Sequence, residues 1–448
     1  MKESRTIKDV VDNQLCTGCG LCVSESDGIR SMKWNEDGFL VPDIINVIND
    51  NSIKVCPFNP APDEDVRDED RLSKLFLSDS DKKDFKIGRY IGTYVGFSEQ
   101  HRTSSSSGGI ATYIFEQLLK NNHAQHLFIV KEVNGTYEYQ LFSDFRQINK
   151  ISKTRYLPVT LEKLFEIIDK LDGKIGVSGV ACFIKAIRLK QHYYPELKEK
   201  IAFLVGIICG GLKSKLYTDF LVQNVGIKGD YSNQEYRIKD FYGSASGYGF
   251  GAYDAQEVLH TMKMSKVGDM WGTGLFKSNA CDFCDDVTTE LADISLGDAW
   301  INPYRKDGRG ASIIITRSLL ADELIKSGMK NGELKANLLA KEEVIRSQAA
   351  SFRHRQQASK FRIDQNIRNK ELTPYKRSRF FQNIPVEYKI VQKERRVVRA
   401  LSIELWKKTK SLQEYNQKMD VFKRRLKKKT LIYSKIQKIR RVLKIKTL

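Results

Sequence analysis

The 448-residue sequence contains no uninterrupted apolar run near the length needed to cross a bilayer. Its first residues, MKESRTIKDVVDNQ, are polar and lack the apolar core of a signal peptide. The sequence also lacks a P-loop, a G-x-G-x-x-G nicotinamide fingerprint after a strand and a recognisable hydrolase triad. We therefore expect a cytoplasmic protein, in which thiols stay reduced and clustered cysteines serve metal or redox chemistry.

Positive charge is unevenly distributed along the sequence. The chain carries a formal net charge of +20, and residues 351–448 alone contain 30 Lys and Arg against 7 acidic residues. Residues 1–350 are therefore close to neutral or slightly acidic. Because there is also no zinc-finger pattern and no basic patch interleaved with aromatic residues, we do not expect nucleic acid as a partner.

The end of this basic region has the pattern of an amphipathic helix. Ile432, Ile436, Ile439 and Leu443 fall on one helical face, and Lys and Arg occupy most of the rest. One interpretation is peripheral attachment to an anionic membrane surface, at the inner face of the membrane. The alternative is a solvated basic helix that packs on the body or mediates oligomer contacts.

The first cysteines form the C-x-x-C-x-x-C run of bacterial ferredoxins. Two-residue spacers let the thiolates of Cys16, Cys19 and Cys22 converge on a four-iron cluster. Ser26 stands where the fourth cysteine of that run would fall, and Cys56, followed by proline, is the obvious replacement. These four cysteines predict one 4Fe–4S cluster in a small ferredoxin-like α+β domain. A four-thiolate zinc site is the alternative.

The other four cysteines are spread along the chain. Cys281 and Cys284 form a C-x-x-C pair, whereas Cys182 and Cys209 each follow an apolar segment typical of a buried strand. Residues just past the ends of parallel strands gather at one edge of a sheet, so Cys182 and Cys209 are well placed to meet. From the residues alone, buried structural thiols and a zinc site on the C-x-x-C pair stay open as alternatives.

Strand-like and helix-like segments alternate after Lys86. Residues 90–98 and 174–180 resemble strands, and residues 110–120 and 181–193 resemble helices. This alternation predicts an α/β body with a mixed or parallel sheet. The basic C-terminal region is poor in glycine, and its composition predicts helices.

Several short blocks follow one another in a characteristic order between about residue 10 and residue 320. They are the ferredoxin motif, Ser107-Gly108-Gly109, Gly179-Val180-Ala181-Cys182, Ile208-Cys209-Gly210-Gly211, Tyr236-Arg237-Ile238-Lys239, Cys281-x-x-Cys284 and Ala292-Asp293-Ile294-Ser295-Leu296-Gly297-Asp298-Ala299-Trp300. In these blocks the sequence resembles the beta subunits of coenzyme F420-reducing hydrogenases and dehydrogenases, with their bacterial relatives. That family includes chlorophyllide-type reductases and members encoded beside polysaccharide genes.

The resemblance implies a second cluster and a flavin. The ligands of this second 4Fe–4S cluster would be Cys182, Cys209, Cys281 and Cys284, and the flavin beside it would be FAD. The chain departs from the family pattern after Cys182, where Phe183 stands for glutamine, and after Cys209, where Gly210 stands for histidine. Such positions line the flavin or substrate pocket, so the departures weigh against use of the deazaflavin coenzyme F420.

The candidate flavin contacts lie in three of these blocks. Ser107, Gly108 and Gly109 open directly into a helix, whose N-terminus favours a phosphate group. Their simpler interpretation is a helix cap with a flexible lead-in. Within the family pattern, the resemblance assigns flavin contacts to this turn and to Gly179, Arg237, Lys239 and Asp298.

The sequence thus predicts four regions. They are a ferredoxin-like 4Fe–4S domain (1–62), an acidic linker (63–85), an α/β reductase domain that binds flavin and a 4Fe–4S cluster (86–350) and a basic helical region (351–448). The predicted function is an oxidoreductase that moves electrons between a ferredoxin-type donor and a flavin, and then to a small-molecule substrate. The family's relatives suggest a reduction in polysaccharide biosynthesis. The alternative is a non-catalytic electron-transfer module that serves a partner reductase.

Overall fold

The computed structural model of the chain describes residues 5–46, 51–133, 136–151, 153–409 and 411–443. Its strands are β1 (Ile29–Trp34), β2 (Leu40–Ile44), β3 (Lys82–Asp84), β4 (Gly88–Tyr90), β5 (Gly92–Ser98), β6 (His126–Val133), β7 (Thr136–Phe142), β8 (Ile175–Val180), β9 (Ile201–Ile207), β10 (Tyr231–Ile238), β11 (Gly249–Asp254), β12 (Leu259–Lys263), β13 (Ile294–Asp298), β14 (Ser312–Thr316) and β15 (Leu334–Leu338). Its α-helices are α1 (Ile7–Asp12), α2 (Glu69–Phe76), α3 (Ile110–Lys120), α4 (Glu162–Ile167), α5 (Ala181–Tyr193), α6 (Leu197–Lys200), α7 (Lys215–Asn224), α8 (Leu319–Lys330), α9 (Lys341–Ser347), α10 (Ala349–Phe352), α11 (Ser359–Arg368), α12 (Val386–Thr409) and α13 (Leu412–Val442).

An eight-stranded sheet forms the centre of the body, with the strand order β15-β5-β14-β13-β9-β8-β6-β7. Strands β6, β8, β9 and β13 are parallel to one another, whereas β14, β15 and the edge strand β7 run antiparallel to their neighbours. The prediction of an α/β body with a mixed or parallel sheet is therefore confirmed, and the sheet is mixed.

Helices α3 and α5 cover this sheet and have the bounds that the sequence predicts. In α5, Phe183, Ile184, Ala186 and Ile187 are all buried, because the helix lies between the sheet and the N-terminal part of the chain. A helix that is apolar on most of its faces belongs in the interior of a protein. This placement puts Cys182, in the first turn of α5, half-buried against the same apolar core.

Aromatic rings attach the C-terminal helices to the body. Phe220 of α7 and Phe276 pack against Trp406 of α12 and Tyr415 of α13, with ring centroids 5.2–6.0 Å apart across this group. Buried aromatic pairs contribute roughly 0.5–1.5 kcal/mol each beyond their area burial. The expectation of a helical C-terminal region is confirmed. Within the described residues, every helix is too short or too polar to cross a bilayer.

The acidic stretch at residues 63–85 contains the helix α2, which the sequence did not predict. Glu69 in its first turn is buried and forms ion pairs with Lys185 at 3.2 Å and with Arg377 at 3.5 Å. The carboxylate of Glu69 thus joins the body to the C-terminal region. The linker bounds stay a prediction, and local acidity does not reveal these distant basic partners.

The amphipathic face predicted at the C-terminus is only partly covered. Tyr433 of α13 stacks on Tyr388 of α12 at 4.6 Å, and Leu426 is buried between them and the body. Ile432 and Ile439, in contrast, are exposed. The helix therefore packs on α12 with one side and presents apolar and basic side chains to solvent with the other; residues 444–448 lie outside the described part.

Candidate functional site

Four strands of the large sheet end at the same edge. Strands β5, β8, β9 and β13 run in one direction, since β8 and β13 are parallel to β9, and β14 is antiparallel to both β13 and β5. Cys182 follows β8, Cys209 follows β9, Asp298 ends β13 and the turn at Ser107 follows β5. The predicted cysteine and flavin residues thus share the carboxyl edge of the sheet, where α/β proteins bind their ligands.

The first group of cysteines surrounds a small cavity near the N-terminus. Cys16, Cys19, Cys22 and Cys56 all line it, together with apolar side chains such as Phe58. Burial and the neighbouring thiols raise the pKa of Cys22 well above its usual value, and burial raises the pKa of Cys16 to about 12. A thiolate in this apolar cavity is unfavourable unless a positive charge lies beside it, as a metal centre provides.

The backbone around these cysteines turns tightly. Gly20 has φ +83°, and a Cβ atom there would lie 2.1 Å from the hydroxyl oxygen of Thr160. The backbone N–H of Gly18 donates a hydrogen bond to the sulfur of Cys16 at 3.4 Å. The loop therefore needs glycine for its fold, and its N–H groups point toward sulfur.

The second group of cysteines assembles from three separate segments. Burial, followed by the neighbouring thiols of Cys284, Cys281 and Cys209, raises the pKa of Cys182 well above its usual value. Burial, then the thiol of Cys209, raises the pKa of Cys281 to about 12. The two cysteines at strand ends and the C-x-x-C pair thus lie near one another, although up to about a hundred residues separate them in sequence.

Hydrogen-bond donors point at the sulfur atoms of this second group. The N–H of Gly211 donates to the sulfur of Cys209 at 3.2 Å, and the N–H of Leu212 donates to the sulfur of Cys281 at 3.1 Å. Hydrogen bonds to cysteine sulfur stabilise its negative charge and set the reduction potential of iron–sulfur clusters. The donor set therefore fits such a cluster.

Arg355 is a site residue that sequence reasoning missed. Its buried guanidinium donates hydrogen bonds to the sulfur of Cys284 and, at 2.6 Å, to the carbonyl oxygen of Cys209. Arg355 lies in a π-helical turn, Arg353–Gln357, between α10 and α11. No local signal could have distinguished it, because it is one of 30 basic residues after residue 350 and matches no motif.

The two cysteine groups are neighbours. Cys19 of the first group is among the thiols that raise the pKa of Cys182, after burial and the cysteines of the second group. An apolar cluster that includes Phe58, Phe283 and Ile363 packs against cysteines of both groups. Within the described residues, no three His, Cys, Asp or Glu side chains come together in the manner needed to hold a single metal ion.

Lys239 connects the predicted flavin residues to one another. Its ammonium donates hydrogen bonds to the carbonyl oxygens of Arg102 and, at 2.7 Å, of Ser107. Burial, then the guanidinium groups of Arg102 and Arg237, lowers the pKa of Lys239 to about 7. Arg237 in turn forms an ion pair with Asp298. Three separate blocks of the sequence therefore meet in one cationic corner of the sheet edge.

The turn at Ser107 is held by the protein itself. The Ser107 hydroxyl donates to the carbonyl oxygen of Ala311 at 3.2 Å, and the N–H of Gly108 donates to the hydroxyl of Ser312 at the same distance. A Cβ atom on Gly108 would lie 2.7 Å from the carbonyl oxygen of Gly96. Close packing against β5 and β14 thus explains the small residues of the turn without a ligand.

Gly179 lies apart from this corner, on β8 beside Gly206 of β9. A Cβ atom on Gly179 would lie 3.2 Å from side-chain atoms of Phe183 and Ile184 at the start of α5. Its position is therefore on the cysteine side of the sheet edge, and local packing accounts for the glycine.

Two family models match adjoining parts of the chain, and together they cover more than half of it. Residues 93–166 match the model of the N-terminal part of the coenzyme F420 hydrogenase/dehydrogenase beta subunit. Residues 172–342 match the model of the C-terminal part of the same beta subunit.

Curated relatives are distant in sequence. The chain is 23% identical to a subunit of the F420H2 dehydrogenase of Methanosarcina mazei over 216 residues, which are 46% of this chain and 56% of that protein. It is 23% identical to the beta subunit of the coenzyme F420 hydrogenase of Methanosarcina barkeri over 306 residues, which are 62% of this chain and 97% of that protein. One polypeptide of the xenon-derivatised F420-reducing [NiFe] hydrogenase complex of Methanosarcina barkeri aligns with 22% identity and a TM-score of 0.47, covering 64% of this chain and 94% of that one.

Proposed function

Because this chain belongs to the coenzyme F420 hydrogenase/dehydrogenase beta-subunit family, we propose that it is an iron–sulfur flavoprotein that moves electrons between a ferredoxin-type donor and a small-molecule substrate. The observation that carries the proposal is that all eight cysteines lie in two neighbouring groups whose members are buried or half-buried. Four-iron clusters bound in the two cysteine groups would exchange electrons one at a time. A flavin bound at the cationic corner would exchange one or two electrons.

The chain's own residues have distinct roles in this proposal. Cys16, Cys19, Cys22 and Cys56 would hold one cluster, with residues 1–62 as the ferredoxin-like domain. Cys182, Cys209, Cys281 and Cys284 would hold the second, in the reductase domain at residues 86–350. Lys239 and Arg237 would bind the anionic flavin, and Asp298 would orient Arg237. An aromatic and aliphatic cluster packs against both cysteine groups and limits the access of water to them.

An assay of iron, zinc, sulfide and released flavin on anaerobically purified protein tests the proposal. About eight irons and one flavin per chain would support it. Stoichiometric zinc without iron would overturn it, because zinc carries no electrons.

A flavin-free electron-transfer module is the second candidate function. It is favoured by the turn at Ser107, whose hydroxyl and N–H groups are already engaged by Ala311 and Ser312. About eight irons without flavin, in protein that accepts electrons from a reduced ferredoxin, would support this alternative over the first.

We expect flavin binding to weaken as the pH rises through 7. The lowered pKa of Lys239 means that its ammonium is charged below about pH 7 and neutral above it, so attraction for a flavin phosphate is lost at higher pH. The Kd for FAD of flavin-depleted protein should rise several-fold between pH 6 and pH 8.5. Lys239→Met should bind weakly at both pH values. Lys263→Met, at an exposed ion pair with Asp240, is the matched control and should keep the wild-type pH dependence.

We also propose that α13 attaches the protein to anionic membranes. Lys428 and Lys435 flank the exposed Ile432 and Ile439 on one side of this helix. Each basic residue near such a surface contributes about 1 kcal/mol, so Lys428→Gln with Lys435→Gln should weaken vesicle binding about tenfold or more. Sedimentation with phosphatidylserine vesicles measures this. Lys170→Gln with Lys174→Gln is the control; equal sedimentation of both variants would contradict the attachment.

A further inference from the structure

A groove of about 820 Å³ lies outside the residues that the family models match, between α11 and the start of α12. Phe361 and Ile384 form its buried floor. Ile367 and Val386 line its sides and are 60% and 68% exposed, respectively. Bulky aliphatic side chains this exposed on facing walls are typical of a surface that a partner covers.

The rim of the groove is basic. Of the residues that line it, four are basic and one, Asp364, is acidic. Asp364 is already engaged by Lys360 at 3.1 Å, so the charge of the rim is carried by Arg368, Lys389 and Lys393.

The first turns of helix α12 separate their charges between two faces. Glu387 and Glu394 pair with Arg440 and Arg425 of α13, respectively. Lys389 and Lys393, one turn apart, line the groove with Ile390. The face toward the groove therefore combines apolar and positively charged side chains, which is complementary to an acidic segment with apolar side chains.

The acidic stretch of a second copy of this chain does not fit this role. Asp63 accepts a hydrogen bond from Tyr193 at 2.7 Å, Asp70 pairs with Arg379 at 2.7 Å and Glu69 is buried. These carboxylates are engaged within their own chain. Because these carboxylates are unavailable, and because the groove combines positive charge with apolar walls, we take an acidic segment of another protein as the occupant.

The groove lies directly behind the cysteines. Ile363, on the opposite face of α11, belongs to the apolar cluster that packs against both cysteine groups. Arg362, next to it, donates to the carbonyl oxygen of Asp282, between Cys281 and Cys284. One helix, about 10–12 Å in diameter, separates the groove from the cysteine loop.

We infer that this groove is the docking site of an acidic electron-carrier protein. The role of this carrier as an electron donor rests on the proposed function. The place where it binds rests on the positive charge and the apolar walls of the groove. The attraction is electrostatic, so binding should weaken steeply with ionic strength.

The test measures binding of an acidic bacterial ferredoxin to the full-length chain at several salt concentrations. Lys389→Glu with Lys393→Glu should raise the Kd about tenfold or more and flatten its salt dependence. Ile367→Ser, at an exposed position, should raise the Kd several-fold and leave the salt dependence unchanged. Lys428→Glu with Lys435→Glu makes the same change of net charge on α13 and should raise the Kd less than twofold.

The same preparations are assayed for iron, sulfide and flavin, so that the two proposals fail separately. No binding to the wild-type chain, or equal weakening by the groove and α13 variants, would overturn the docking inference whatever the cofactor content. Absence of iron and flavin would overturn the proposed function. The difference in Kd between the variants would still show whether the groove is the docking site. Zero-length carbodiimide cross-links that map to Lys389 or Lys393 would support the groove, and cross-links confined to α13 would count against it.

Discussion

Replacing Cys56 by serine is expected to remove about four irons per chain and leave the second cysteine group loaded. Cys56 comes from outside the loop that carries Cys16, Cys19 and Cys22, and it closes their cavity from the other side. Serine keeps the size of the side chain and removes the thiolate that binds iron. Reduction of bound flavin by a reduced ferredoxin should then fall by about a hundredfold or more, because one of the two clusters of the proposed electron path is lost.

Anaerobic iron and sulfide assays, with stopped-flow absorbance of the flavin, measure both effects. Ser26→Ala is the matched control, since Ser26 stands at the fourth position of the ferredoxin run and its hydroxyl only accepts a hydrogen bond from the N–H of Gly28. Unchanged iron in the Cys56 variant would refute the assignment of Cys56 as a ligand. Loss of iron in the Ser26 variant as well would show that any substitution near this loop disturbs it. The result for Cys56 would then not identify Cys56 as a ligand.

Replacing Arg377 by methionine is expected to destabilise the chain by roughly 3–5 kcal/mol. Arg377 is buried and pairs with Asp285 at 3.0 Å and with Glu290 at 2.7 Å, with Glu69 at 3.5 Å. Methionine fills a similar volume and removes the cation that the three buried carboxylates share. Each carboxylate then keeps one other basic neighbour, namely Lys185 for Glu69, Lys376 for Asp285 and Arg379 for Glu290. Urea denaturation followed by circular dichroism measures the change in the free energy of unfolding.

The cost of this substitution should be larger at pH 8 than at pH 6. Burial raises the pKa of Glu290 to about 7 even with Arg377 beside it. Its protonated form, which needs no cation, is therefore populated at pH 6 and lost at pH 8, so more uncompensated charge remains at the higher pH. Arg353→Met, at an exposed position in the same region, should change the free energy of unfolding by less than about 0.5 kcal/mol. If Arg377→Met lowers the free energy of unfolding by as little as Arg353→Met does, solvent must reach these carboxylates.

Local patterns in the sequence predicted the parts of the fold that depend on local physics. The apolar runs before Cys182 and Cys209 predicted strands, and parallel strands bring their carboxyl ends to one edge, so the meeting of these two cysteines followed from the pattern. The bounds of α3 and α5 followed from apolar spacing and from the glycine before α3. These helices and strands need only an apolar surface to pack against, whichever residues of the chain supply it.

The features that the sequence did not predict depend on contacts between distant parts of the chain. Nothing near Arg355 indicates that its guanidinium reaches the sulfur of Cys284, and nothing near Glu69 indicates its pairing with Arg377. A buried charge is tolerated because of its partner, and here the partner is 71 residues away for Arg355 and 308 residues away for Glu69. The basic C-terminal region therefore reads as a solvated appendage from composition, although several of its arginines lie in the interior of the molecule.

The order in which the ribosome makes this chain matters for its thiols. The first cysteine group is covered in part by α11: Ile363 belongs to the apolar cluster that packs against Cys16, and these two residues are 347 positions apart. At a synthesis rate of about 5–20 residues per second, roughly 20 to 70 s pass between the emergence of these two residues. During that interval the N-terminal thiols lack part of their final cover and are more accessible to oxidants. A chain that stalls before α11 is translated therefore leaves these thiols without that cover.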